Sequence, residues 1–96
     1  MIKTFANKVT QKVFQQEFAK TLPPTVQRVA LRKLLMIDHA EMIKGLKMPP
    51  ANHLEKLSQD RLGQYSIRIN NQYRICFTIQ NGNEFYDVEI VDYHRG

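Results

Sequence analysis

The chain has 96 residues, 43% of them hydrophobic and 24% charged, and its 14 Lys and Arg outnumber nine Asp and Glu for a formal charge of +5 and a pI near 9.6. This predicts one domain over residues 1–96 with a thin core, and it excludes a disordered chain and a membrane-spanning helix, which needs an apolar run of about 18 residues. The cationic excess suits a polyanionic partner, nucleic acid or an acidic protein, because neutralising phosphates releases counterions.

The first residues, "MIKTFANKVT", lack the apolar stretch of a secretory signal and offer a short strand over residues 2–5. A helical pattern follows over residues 8–20, with Val9, Val13, Phe14 and Phe18 along one face. "TLPPT" breaks it, since Pro23 and Pro24 cannot continue a helix, although Pro24 or Thr25 can begin one. The second helix is expected over residues 25–44, ending at Gly45. Val26, Val29, Ala30, Leu34, Ile37 and Ala40 form its core stripe. Gln27, Arg28, Arg32 and Lys33 fall on the opposite side. With Lys12 and Lys20, the three cations among them form a basic helical face, either ordinary solvated surface or a docking surface for a protein partner.

"GLKMPPAN" is a loop, and beyond it the period changes to two. "QYSIRIN" alternates Tyr65, Ile67 and Ile69 with Ser66 and Arg68. "YRICFTI" alternates Tyr73, Ile75, Phe77 and Ile79 with Arg74, Cys76 and Thr78. Asn81-Gly82 signals a two-residue hairpin, so the final strand starts near Asn83. One register keeps the apolar faces together. It pairs Ile69 with Tyr73 and Ile67 with Ile75 across Asn70, Asn71 and Gln72. Across the second turn it pairs Phe77 with Tyr86 and Ile75 with Val88. The expected fold is α+β: two N-terminal helices packed on one face of a twisted antiparallel β-sheet. Cys76, the lone cysteine, reads as a small strand or core residue in a reducing cytoplasm.

The same register sets Arg68 directly opposite Arg74 on the other sheet face. Like charges so placed repel by up to about 1 kcal/mol. Solvent screening together with Glu89, placed beside Arg74 by the second hairpin, accounts for the pair; so does a face awaiting an anion. The three histidines, His39, His53 and His94, have no metal-ligand spacing, and no cofactor motif is present. His39 reads as a surface or packing residue of the second helix.

RNA can be cut without a metal. A base takes the 2′-OH proton, an acid protonates the leaving 5′-oxygen, and cations stabilise the phosphorane. Histidine suits either proton role, arginine grips phosphate with a planar fork, and tyrosine stacks on a base or donates a hydrogen bond. His53, Arg68, Arg74, Asp92, Tyr93 and His94 supply that set. Strict alternation puts Asp92 and His94 on the core side and Tyr93 on the arginine side, so the site requires a bulge after Ile90 or a position at the sheet edge.

"HLEKLSQDRLGQYSIRINNQYRICFTI", an Asn-Gly turn and "YDVEIVDYH" resemble the HigB toxins of the RelE/ParE superfamily. The likeness is strongest from His53 to His94 and looser over the helical half, including "MIKTF". The resemblance implies a compact fold of helices on an antiparallel sheet. It implies a cytoplasmic, metal- and cofactor-independent endoribonuclease that cleaves mRNA in the A site of the translating ribosome, in contact with ribosomal RNA. It also implies neutralisation by a HigA-like helix-turn-helix antitoxin, through which alone the toxin would reach operator DNA. Carried over residue by residue, the site is His53, Arg74, Asp92, Tyr93 and His94, with Lys56 as an RNA contact. Arg68 joins as a second RNA contact on the register argument. The division of base and acid among His53, Asp92 and His94 stays open. In "LSQDRLG", Ser58 and Gln59 stand where the family commonly has Lys-Gly. A ParE-like poison of DNA gyrase and an inactive antitoxin-binding homologue are the alternatives; retention of His53 and His94 speaks against the first.

Overall fold

The computed structural model describes residues 1–93; His94, expected in the site, lies outside the described residues together with Arg95 and Gly96. Two helices, α1 (Lys8–Phe14) and α2 (Pro24–His39), precede a four-stranded antiparallel sheet of β1 (Glu55–Lys56), β2 (Tyr65–Arg68), β3 (Tyr73–Gln80) and β4 (Glu84–Asp92), ordered β1-β2-β3-β4. The α+β expectation holds. The N-terminal residues add to the edge beyond β4, where Ile2 and Phe5 bridge in parallel to Phe85 and Val88.

Both helices end earlier than their periodicity suggests. The Asn7 side chain caps α1 by accepting from the Thr10 N–H at 2.9 Å. The helix stops at Phe14, not residue 20. Gln16 turns left-handed at φ 64°, and its N–H and that of Glu17 close on the carbonyls of Val13 and Lys12, a Schellman-type ending. Phe18 is thereby thrown outward, 67% exposed, and Ala19 takes the buried place. Gln27 is no solvated residue either. Its amide accepts from Ala19 N–H and donates to the carbonyls of Ala19 and Leu22, pinning the interhelical turn. In α2, Val26, Ala30, Leu34 and Ile37 are buried as the stripe requires. The chain leaves the helix at Ala40, which is extended, and a short 3-10 turn, Ile43–Lys47, brings Leu46 back into the core.

The register of β2 on β3 is the expected one, with Ile67 opposite Ile75 and Arg68 opposite Arg74. The second hairpin differs. Residues 81–83 form a three-residue connection, which pairs Thr78 with Tyr86 and Ile79 with Phe85. A bulge between Cys76 and Thr78 then inserts one more residue of β4, and Ile75 meets Ile90 rather than Val88. Asp87 at the bulge is left-handed, φ 53°. The two one-residue slips together restore side-chain parity, so Phe77, Phe85, Val88 and Ile90 all reach the core. The rings of Phe77 and Phe85 meet edge to face at 5.3 Å.

Candidate functional site

Helices cover one face of the sheet. On the other face, Ser66 and Cys76 are opposite one another and both fully buried. Larger side chains close over this floor of small residues. Arg74 donates through Nε to Ser66 Oγ at 2.7 Å and through Nη2 to the His53 carbonyl at 2.6 Å. The Glu55 carboxylate lies 3.6 Å from the same Nη2. The guanidinium is therefore fixed from three sides, with its side chain only 12% exposed.

Glu89, expected beside Arg74, sits opposite Cys76 and pairs with Arg61 at 3.3 Å. The cause is the three-residue turn together with the bulge, which carry β4 two residues past the expected register. Arg74 instead draws its carboxylate from Glu55. Arg68 is held by the Asn71 side chain. Two facing cations thus coexist because each is bound to its own partners, turned by β1 and by the β2–β3 turn.

An open cleft of about 770 Å³ lies over these residues, lined by His53, Glu55, Arg68, Asn70, Asn71, Gln72, Arg74 and Tyr93. Four of the residues picked from the sequence therefore meet: His53, Arg68, Arg74 and Tyr93. His53 reaches the cleft through the cis Met48–Pro49 loop and a 3-10 turn, Pro50–Asn52; it is exposed and left-handed at φ 45°. Tyr93 follows β4 on the arginine side, as alternation requires, and its N–H donates to the Gln72 carbonyl at 2.6 Å. Its hydroxyl lies 3.7 Å from Cys76 Sγ. Burial, and next the hydrogen bond with Cys76, push the Tyr93 phenol above its ordinary value. Burial likewise pushes the Cys76 thiol up, against a smaller opposing effect of the Tyr93 hydroxyl.

Asp92 pairs with Tyr73 at the end of the ladder and accepts from Gln72 Nε2 at 3.2 Å, but it lies outside the cleft lining. Lys56 is exposed in β1 and lies outside the cleft lining. Its neighbour Glu55 lines the cleft, and successive strand residues point to opposite faces. His39 is exposed at the end of α2, its Nδ1 2.9 Å from the Leu35 carbonyl. Lys33 is buried, not part of an exposed basic face.

Ser66 and Glu55 carry no motif that marks a site, although the β2–β3 register sets Ser66 on the arginine face. In the sequence Asn70, Asn71 and Gln72 read as turn formers only. Their side chains line the cleft, and the Asn70 carboxamide oxygen accepts from the N–H groups of Gln72 and Tyr73, both at 2.8 Å.

A family profile described as "RelE-like toxin of type II toxin-antitoxin system HigB" matches residues 3–94. An uncharacterized protein of Haemophilus influenzae is 45% identical over 60 residues, 62% of this chain and 59% of that protein. Toxin HigB-1 of Vibrio cholerae is 35% identical over 63 residues, 66% of each. The match thus spans less than two thirds of the length of these curated relatives. Among solved structures, a chain of the YoeB-YefM complex from Staphylococcus aureus superposes with a TM-score of 0.61 at 25% identity, covering 99% of this chain and 97% of that one. The YoeB dimer from the same organism gives 0.58 at 25% identity, covering 98% and 95%.

Proposed function

The chain belongs to the family of HigB-like, RelE-like toxins of type II toxin–antitoxin systems, and on that premise we propose that it is a metal-independent endoribonuclease that cleaves mRNA on the translating ribosome. The observation that carries this reading is the meeting of His53, Arg68, Arg74 and Tyr93 around one open cleft. Two cations, an imidazole and a neutral phenol suit a phosphodiester flanked by a base.

In the proposed reaction the 2′-oxygen attacks the adjacent phosphorus as its proton passes to a base. The P–O5′ bond breaks and an acid protonates the leaving oxygen, giving a 2′,3′-cyclic phosphate and a 5′-OH. His53, Asp92 and His94 are the candidates for the two proton transfers. Arg74 stabilises charge on the phosphorane, pre-oriented by Ser66 and the His53 carbonyl so that little reorganisation accompanies the reaction. Glu55 is 57% exposed and 3.6 Å from Arg74. Its exposed carboxylate swings aside for an incoming phosphate, while Ser66 and the His53 carbonyl keep the guanidinium in place. Arg68 binds a neighbouring phosphate, and Lys56, outside the cleft, contacts RNA or ribosome beyond it. Tyr93 stacks on a base or donates to the phosphate.

The partners of this reading are mRNA in the ribosomal A site, ribosomal RNA and a HigA-like antitoxin, all in the cytoplasm. Induction of the protein alone in bacteria tests it. Translation should stop before DNA supercoiling changes. Continued translation with DNA breaks at gyrase sites would replace this reading by the ParE-like one.

A further inference from the structure

Lys33 is the one charged side chain among the described residues that is buried, 4% exposed within α2. Burial first, then the nearby cations Arg32 and Arg68, push its ammonium below the ordinary lysine value. The position is therefore unfavourable for a charge, and an apolar side chain would fill it without that penalty. What the lysine supplies is a hydrogen bond from Nζ to Asn52 Oδ1.

Asn52 is fully buried. Its amide donates to the carbonyls of Leu46 at 3.1 Å and Met48 at 3.3 Å, and its backbone N–H donates to Pro49 at 2.9 Å. The next residue is His53. Its left-handed backbone donates N–H to Pro50 at 3.0 Å, and its carbonyl accepts from Arg74 Nη2. An unbroken series of contacts runs from the helical layer to the cleft: Lys33, Asn52, His53, Arg74. Neither Lys33 nor Asn52 lines the cleft.

We propose that Lys33 and Asn52 are positioning residues: through Asn52, Lys33 fixes the 46–53 loop so that His53 meets Arg74 at the cleft. A left-handed histidine is a rare conformation that persists only where surrounding contacts impose it. The buried lysine and asparagine are those contacts on the helical side, and Arg74 is the contact on the sheet side.

The catalytic consequence rests on the ribonuclease reading; the structural one does not. Lys33→Met removes the donor and keeps an unbranched side chain. Amide exchange at Asn52 and His53 should quicken about tenfold or more, while exchange at Ile75 and Val88 stays at the wild-type rate. Misplacing a reacting group by about 1 Å can cost about 10²-fold. Single-turnover cleavage of ribosome-bound mRNA should accordingly fall about 10- to 100-fold, with ribosome affinity unchanged. Added to His53→Ala, which keeps the residue-53 carbonyl that holds Arg74, the substitution should cost less than it does alone, because the imidazole it helps to place is already gone. Lys33→Arg, which retains a donor, should recover part of the rate. Unchanged exchange, a wild-type cleavage rate, or losses that multiply with His53→Ala each overturn the proposal. Should Lys33→Met fail to fold, Asn52→Asp carries the same arms. It keeps the acceptor for Lys33 and deletes both donors to the loop carbonyls. If the wild-type protein cleaves nothing, the ribonuclease reading falls, and exchange alone decides whether Lys33 holds the loop.

Discussion

Arg74 and His53 are joined backbone to side chain: Arg74 Nη2 donates to the His53 carbonyl oxygen at 2.6 Å across 21 positions of sequence. The bond makes one unit of a strand cation and a loop imidazole. Arg74→Ala should reduce RNA cleavage by about 10²–10³-fold, the usual loss for a donor that stabilises transition-state charge. Arg74→Lys should recover little, because one ammonium cannot reproduce a fork that reaches Ser66 and His53 together. Cleavage assays with thermal melts separate the catalytic loss from any change in stability. A His53→Ala chain should lose less than Arg74→Ala if water reaches the vacated loop position.

The Tyr93 phenol is pushed up by burial and by Cys76, so it remains protonated through neutral pH and can donate a hydrogen bond. The pH–rate profile should show no alkaline limb belonging to Tyr93 below the ordinary tyrosine value of about 10. Tyr93→Phe keeps the ring and removes the hydroxyl. Retained activity assigns stacking; loss of about tenfold or more assigns the hydrogen bond.

Cys76 is fully buried and its thiol is raised, chiefly by burial. Alkylation of the native protein, followed by mass, should be far slower than that of the unfolded chain, since the thiolate is the nucleophile. The raised value also has a sign for stability. Below the unfolded value of about 9 the thiol is neutral in both states and imposes no penalty; as pH rises through the higher folded value, stability is lost. Denaturant midpoints should therefore fall more steeply above pH 9 in the wild type than in Cys76→Ala.

Gln59 adopts φ 56° at the place where "LSQDRLG" departs from the Lys-Gly common in the resembled family. The left-handed region disfavours side chains by about 1–2 kcal/mol, so Gln59→Gly should stabilise the protein by up to about 1 kcal/mol. Asp87, left-handed at the bulge, should tolerate glycine and lose about 1–2 kcal/mol as Asp87→Val. Chemical denaturation of the three variants measures both effects.

The sheet and the site were unequally legible. The β2–β3 register could be read from alternation because both strands carry an uninterrupted apolar face and a short turn. The β3–β4 register could not. Two compensating one-residue slips leave the same face apolar, and nothing at Asp87 announces a bulge. Helix ends were misplaced because apolar residues continue past Phe14 and His39, while tertiary demands, Ala19 and Leu46 entering the core, override the period. In the cleft, His53, Arg68, Arg74 and Tyr93 came from their chemistry, the register and the family likeness. Glu55 gives no signal and Lys33 reads as part of a basic face, because a lone charge in a short polar stretch or on a helix reads as solvated. Only packing reveals that one faces Arg74 and the other is buried against Asn52.

The central claim is that this cleft cuts RNA on the ribosome, and 5′-end mapping in a purified translation system tests it most directly. With translating ribosomes and a defined message, the protein should generate new 5′-hydroxyl ends within codons at the A site. The message should stay intact without ribosomes, and folded Arg74→Ala should cut at least about 10²-fold more slowly. An uncut message on ribosomes, or equal cutting by Arg74→Ala, would contradict the account.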